Sequence, residues 1–464
     1  MLPAAFWPGF FINCFTLYFP NSYLLTTGFY LRPLTTFMGN LKFESVSWSF
    51  TTNIYEVNLR QYTHEGTFAA FENHLPRLKD MGVESLWFMP ITPISQEKRL
   101  GSLGSYYACS DYVSTNPEFG SLGDFKHLVD VAHGLGFKVI IDWVANHTGW
   151  DHTWTKTNPD YYRKNAQGEF YDPNGWEDVI DLNYDNRNMV RALIEAMTFW
   201  VKNFDIDGFR CDMAHLVPLD FWRQARTWLD TLKPLFWLAE CEDAAYHDVF
   251  DASYSWRWLH AMEDYYKGNA DIRGLDQVLY DYQDNYPRSA MHLLFTTNHD
   301  ENSHSGSEYE RLGNAAIAFQ VLCLTLNGLP LIYSGQELPN KKRLLFFDKD
   351  EITWTGNCEL EGFIKTLLSL RKTNPAMAFN QRGLYTWRLN TDAPKVFAFL
   401  RKTETASVMV VVNLSNDDSW FEMRDSRAHG KYNDVFSGET FEFIFQRWFE
   451  MKPWQYLVLE GVGM

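Results

Sequence analysis

The stretch GFRCDMAH, residues 208–215, alternates apolar and charged side chains over the length of a short strand. Phe209, Cys211 and Met213 fall on one face, and Arg210 and Asp212 on the other. Charges are costly to bury unless something pairs with them or uses them. The stretch therefore predicts a buried strand that delivers an arginine and an aspartate to a site at its carboxyl end. Upstream, NMVRALIEAMTFWVKNF (188–204) places Val190, Leu193, Met197, Trp200 and Phe204 on one helical face. Downstream, LFWLAE (235–240) reads as the next strand. Strands that alternate with helices predict a parallel sheet.

The same alternation extends in both directions. NIYEVNLRQY (53–62), SLWFMP (85–90), KVIIDWV (138–144), DASYS (251–255), LLFTTNHD (293–300) and PLIYSGQE (330–337) read as further strands. TFAAFENHLPRLKDMG (67–82) places Phe68, Phe71, Leu75 and Leu78 on one helical face and stops at Gly82. Pro76 inside it predicts a kink or a second start. GDFKHLVDVAHGLG (123–136) is another helix. Eight such units over roughly 330 residues suit a closed (β/α)8 barrel with insertions, in competition with an open doubly wound sheet. The Gly-rich phosphate turn of dinucleotide folds is absent.

The expected organisation is a barrel over 38–382 and an all-β sandwich over 383–464. In the latter, KVFAFLRK, SVMVVVNLS and QYLVLE read as strands with no convincing helix between them. Residues 148–186 carry little regular pattern and form an inserted loop domain after strand 3; loops of that length are often functional.

Composition excludes several classes. Lys and Arg number 41 against 58 Asp and Glu, a formal charge of −17, which argues against a nucleic-acid partner. Six cysteines (14, 109, 211, 241, 323 and 358) form no C-x-x-C pair and are compatible with free thiols in a reducing compartment. Residues 1–37 form an apolar leader with no charge before Arg32, unlike a secretory signal. Pro8, Asn13 and Pro20 interrupt every run short of membrane-spanning length. Translation from Met38 and a cytoplasmic location without stable membrane association are the expectation, with export through an atypical leader as the rival.

Polar residues collect where the strands end. Strand 3 ends in Asp142, Asn146 and His147, strand 4 in Arg210 and Asp212, strand 5 in Glu240, strand 7 in His299 and Asp300, and strand 8 in Gln336 and Glu337. In a parallel barrel these ends share one rim, the rim that carries chemistry. Two carboxylates facing one bond suit glycoside cleavage, provided that their environments differ. Arg210 favours an ionised Asp212, the nucleophile. Trp237, Leu238 and Ala239 predict an apolar setting that keeps Glu240 protonated as general acid/base.

At this point the chain resembles the α-amylase family of retaining α-glucoside hydrolases and transglycosylases. The motifs DWVANHT (142–148), GFRCDMAH (208–215), WLAE (237–240) and TTNHD (296–300) appear in that family's order, with IDLN (180–183) as a fifth. The resemblance implies Asp212 as nucleophile, Glu240 as proton donor and Asp300 as the third carboxylate. It also implies His147 and His299 as ligands of sugar hydroxyls, Asp142 as the brace of Arg210, and Tyr107 as the ring under the sugar. Asn146 and Asp181 match calcium-binding positions, so calcium is the one cofactor implied; no organic cofactor is expected. Two positions depart from the family pattern: Ala214-His215 follows the nucleophile where many members have Lys-His one residue later, and Ala239 replaces a common glycine. The implied activity is hydrolysis of α-1,4 bonds in starch- or glycogen-derived glucans. Transfer to a sugar acceptor, and a catalytically silent glucan-binding protein, are the alternatives.

Overall fold

The computed structural model describes residues 43–379, 383–445 and 447–462; the leader and Cys14 lie outside them. In chain order the first ten strands are β1 Ile54–Val57, β2 Ser85–Phe88, β3 Lys138–Trp143, β4 His147–Gly149, β5 Val179–Asp181, β6 Gly208–Cys211, β7 Phe236–Ala239, β8 Ala252–Tyr254, β9 Met291–Leu294 and β10 Leu329–Tyr333. β4 and β5 pair antiparallel and frame the loop inserted after β3. The other eight are parallel and close on themselves, β10 returning to β1. The closed barrel expected from the sequence is therefore present, and the open sheet is excluded.

Strand period decides what faces inward. The ladder sets Glu56 beside Trp87 and Tyr333, and Asp142 beside Arg210. These side chains form a layer inside the barrel near its carboxyl rim. The alternate residues point outward: Phe209 packs against Trp143 and Trp237 beneath the helical shell. Cys211 and Cys241 are buried free thiols.

Two local expectations change and a third is settled. NIYEVNLRQY is a strand only to Val57; Leu59–Tyr62 coils into a helical turn. The coil lets Arg60 reach the carbonyls of Leu103 and Gly104, while Gln61 reaches those of Leu345 and Asp348, tying two rim loops to β1. Pro76 marks a second start: helices Phe68–Glu72 and Leu75–Met81 are separate, with the proline in the first turn, where its missing N–H costs no hydrogen bond. LLFTTNHD leaves the sheet after Leu294, and His299 and Asp300 open the helical turn that continues through Glu301–Ser305.

The remaining strands are β11 Tyr385–Arg388, β12 Val396–Lys402, β13 Ser407–Asn413, β14 Ser419–Glu422, β15 Gly430–Asp434, β16 Thr440–Phe443, β17 Trp448–Met451 and β18 Tyr456–Gly461. Six form an antiparallel sheet, β11-β12-β13-β18-β15-β16, and β14 pairs with β17. Phe397, Phe399, Val408 and Val410 join the barrel's core, whereas Ala398, Leu400, Met409 and Val411 pack with Phe421 and Met451. β12 and β13 are apolar on both faces because both faces are covered. Among the described residues no helix is long and apolar enough to cross a membrane.

Candidate active site

Arg210 is the hub of the rim. Its guanidinium is fully buried and lies over the rings of Trp87, Tyr107 and Tyr254 at 5.0, 5.7 and 5.5 Å. Nη1 donates to Asp142 Oδ1 at 2.9 Å and to Asp212 Oδ1 at 3.2 Å. Nη2 lies 2.9 Å from Glu240 Oε1, an ion pair off the axis of its N–H. Asp142 also accepts from Trp87 Nε1 and from the Tyr107 hydroxyl, each at 3.2 Å. Burial pushes the Asp142 carboxyl up to about 6 although Arg210 pulls against it.

This arrangement corrects the reading of Glu240. Trp237 and Ala239 point outward, and the immediate partners of the carboxyl are polar. Oε1 meets Arg210, and Oε2 accepts the Met213 N–H at 2.8 Å. Met213, directly after Asp212, takes a left-handed conformation (φ 40°), rare for a side chain of its size. Asp212 and Glu240 are buried on two nitrogens of one guanidinium. Burial and the charge of Glu240 push the Asp212 carboxyl well up, and Arg210 opposes both.

The opposite wall carries His299 and Asp300. His299 Nε2 lies 2.7 Å from the Tyr107 hydroxyl and 3.2 Å from Asp300 Oδ2. Desolvation works against the Asp300 charge, but His299 outweighs it and holds the carboxyl down at about 2. The Tyr107 ring stacks on His299 at 5.6 Å and 24°. His147, at the start of β4, accepts the Asn146 amide at Nδ1 (3.2 Å), which leaves Nε2 carrying the proton. Burial lowers its imidazole to about 4. Trp176 of the loop domain meets the His147 ring edge to face at 5.4 Å.

Asp142, Tyr107, Arg210, Asp212, Glu240, His299 and Asp300 thus form one connected set, with His147 on the β4 side of the rim. Asn146 and Asp181 stand together beside it, the amide donating to Oδ1 at 3.1 Å. Burial and Asp172 raise the Asp181 carboxyl to about 7. Among the described residues no group of three or more His, Cys, Asp or Glu side chains converges as metal ligands. His215 is exposed, and its carbonyl accepts the Tyr246 hydroxyl, so the displaced histidine does not join this pair.

Sequence reasoning missed Glu56, Trp87, Tyr254 and Phe346. Phe346 lies parallel to Tyr107 (6.3 Å, 11°) on the loop after β10. A charged residue in the middle of a strand buried on both faces was the available signal for Glu56. The aromatic residues carry no such signal.

The profile of the α-amylase catalytic domain matches residues 43–177 and 161–356, and that of the maltogenic amylase C-terminal domain matches 388–458. The chain belongs to the α-amylase family. Among relatives, the α-amylase MalA of Haloarcula japonica is 27% identical over 396 residues, covering 81% of this chain and 57% of that protein. A cyclomaltodextrin glucanotransferase of Geobacillus stearothermophilus is 28% identical over 395 residues, covering 74% of this chain and 53% of that protein. The chain thus spans just over half the length of these two relatives. The solved structure of a noncanonic maltogenic α-amylase, AmyB of Thermotoga neapolitana, superposes with a TM-score of 0.82 at 29% identity, covering 89% of this chain and 99% of that one. Family membership accounts for the barrel, the rim motifs and the β-sandwich together.

Proposed function

We propose that this chain is a retaining α-glucoside hydrolase that cleaves α-1,4 bonds of starch- or glycogen-derived glucans. The observation that carries the reading is Asp212 and Glu240 held on one guanidinium, with Asp300 facing them from the His299 side. Retaining cleavage needs two close carboxyl groups in different protonation states. Arg210 contacts both acids, so their places in the GFRCDMAH and WLAE motifs assign the roles: Asp212 bonds to the anomeric carbon and Glu240 brings the proton. Glu240 passes that proton to the leaving glycosidic oxygen, and then, as a carboxylate, takes one from the water that releases the sugar. Asp300, anionic at any working pH, faces the positive charge that develops on the sugar ring. In this reading His147 Nε2–H and the His299 ring meet sugar hydroxyls, and the Tyr107 ring is the platform.

Incubation with maltoheptaose, followed by proton NMR of the fresh products, tests this reading. Shorter sugars that appear first as α-anomers are expected; β-anomers overturn retention. Absence of any product supports a silent glucan-binding protein. Transfer to a sugar acceptor uses the same covalent intermediate. The similarity to a glucanotransferase supports that second reading, which longer products from maltotriose would establish.

The calcium reading rests on Asn146 and Asp181; Asp172, which acts on Asp181, would add a third oxygen to a donor set of the type that a hard cation takes. A calcium ion there would neutralise Asp181 and fasten the loop domain to the end of β3. No step of the reaction needs it.

A further inference from the structure

The functional reading leaves Glu56 unused, although it is a fully buried carboxylate inside the barrel directly beneath His299. Its Oε1 lies 2.5 Å from His299 Nδ1, and the same oxygen is 3.4 Å from the His299 backbone N–H. On the other side of the ring, Nε2 faces Asp300 Oδ2 at 3.2 Å and the Tyr107 hydroxyl at 2.7 Å. The Tyr107 hydroxyl donates onward to Asp142, so toward His299 it accepts. An ionised carboxylate accepts and does not donate. Burial works against a charge on Glu56 and the His299 ring works for it; with Glu56 and Asp300 both ionised, the ring between them carries a proton on both nitrogens.

We propose that Glu56 is a positioning residue that holds His299 as an imidazolium and fixes its ring, so that Asp300 stays anionic and the sugar meets a charged donor. This inference rests on the glucosidase reading for its purpose, but not for its geometry.

The groups that face His299 are few. Glu56 comes from β1, Trp87 from β2, Tyr107 from the loop after β2, Asp300 from the same helical turn and Phe346 from the loop after β10. Arg210 acts on both Glu56 and Asp300 through space, and Asp142 acts on the ring. Of these only Glu56 is an acid bonded to Nδ1. A chain of contacts then runs Glu56–His299–Tyr107–Asp142–Arg210 and ends on Asp212 and Glu240. Loss of the first member loosens the ring that anchors the rest.

Two measurements test the proposal. In wild-type protein labelled at histidine nitrogens, without substrate, the His299 signals (assigned by their loss in His299→Gln) should be those of an imidazolium at pH 7. A neutral ring there overturns the proposal, whether or not the protein cleaves maltoheptaose. In Glu56→Gln, which keeps the shape and one acceptor oxygen, the alkaline limb of the kcat/KM profile should move down by about one pH unit or more. The accompanying loss at pH 8 should be about tenfold or greater, and should fall on kcat more than on KM. A merely structural acid would lower the melting temperature and leave that limb in place, which also overturns the proposal. Should the variant fail to fold, the wild-type spectrum decides alone.

Discussion

Arg210 Nη2 stands 2.9 Å from Glu240 Oε1, so the cation on β6 steadies the carboxyl at the end of β7 as well as the one two residues along its own strand. Replacing Arg210 with Met leaves Asp142, Asp212 and Glu240 buried without their counter-charge. Loss of one partner from a buried network costs about 3–5 kcal/mol. We expect a destabilisation of that size in urea melts, together with loss of turnover. A variant as stable as wild type would show that the three acids are balanced in another way.

Glu240 and Asp212 are separable by leaving group. Glu240→Gln should lower kcat on maltoheptaose by roughly 10²–10⁴-fold. On maltosyl fluoride, whose leaving group needs no proton, the loss should be far smaller. Asp212→Asn should be inactive on both while melting at or above the wild-type temperature, because burial already works against its charge. Equal losses of Glu240→Gln on the two substrates would remove it from the role of proton donor.

Acid stability should depend on Asp207, just before β6. Its buried carboxylate meets His133 at 2.7 Å, the Val139 N–H at 2.9 Å, Lys233 at 3.1 Å and Lys138 at 3.2 Å. Burial raises its pKa, but these donors win and hold the carboxyl down at about 2. A carboxyl lowered by folding adds stability that is complete above its unfolded value and is lost as pH falls through the folded one. Asp207→Asn should therefore cost about 2 kcal/mol at pH 6, and the gap should close between about pH 4 and 2. A gap that persists at pH 2 would mean that the charge is not its source.

Calcium is testable without substrate. Chelation should lower the melting temperature of the wild type and leave Asp181→Asn unchanged. An unchanged wild-type melt removes the ion from Asn146 and Asp181.

Period and motif made much of this legible. Alternation in GFRCD places Arg210 and Asp212 inward on any strand, and closure of the barrel brings Asp142 and Glu240 to the same level. Glu56 was harder to see, because a single acid between Tyr55 and Val57 looks like the solvent side of an ordinary strand. Only the burial of both faces by a closed barrel gives it meaning. The setting of Glu240 was misjudged because chain neighbours on a strand point away from one another, and its true neighbours come from β6. In the sandwich, β12, β13 and β18 announced themselves by continuous apolar runs. β14 to β17 are short, and only β15 alternates exposed and buried positions, too briefly to stand out.

Arg401 extends from β12 to the carbonyls of Thr325, Leu326 and Ala378, and Tyr265 bonds to the Leu414 carbonyl at 2.6 Å. With Phe397 and Phe399 in the same hydrophobic core as the barrel and its helices, the sandwich is plumbed into the segment from which β10 begins. An engineer who trimmed the chain after residue 383 to obtain a smaller catalyst would lay bare that apolar seam, and would more readily recover an aggregate than an enzyme.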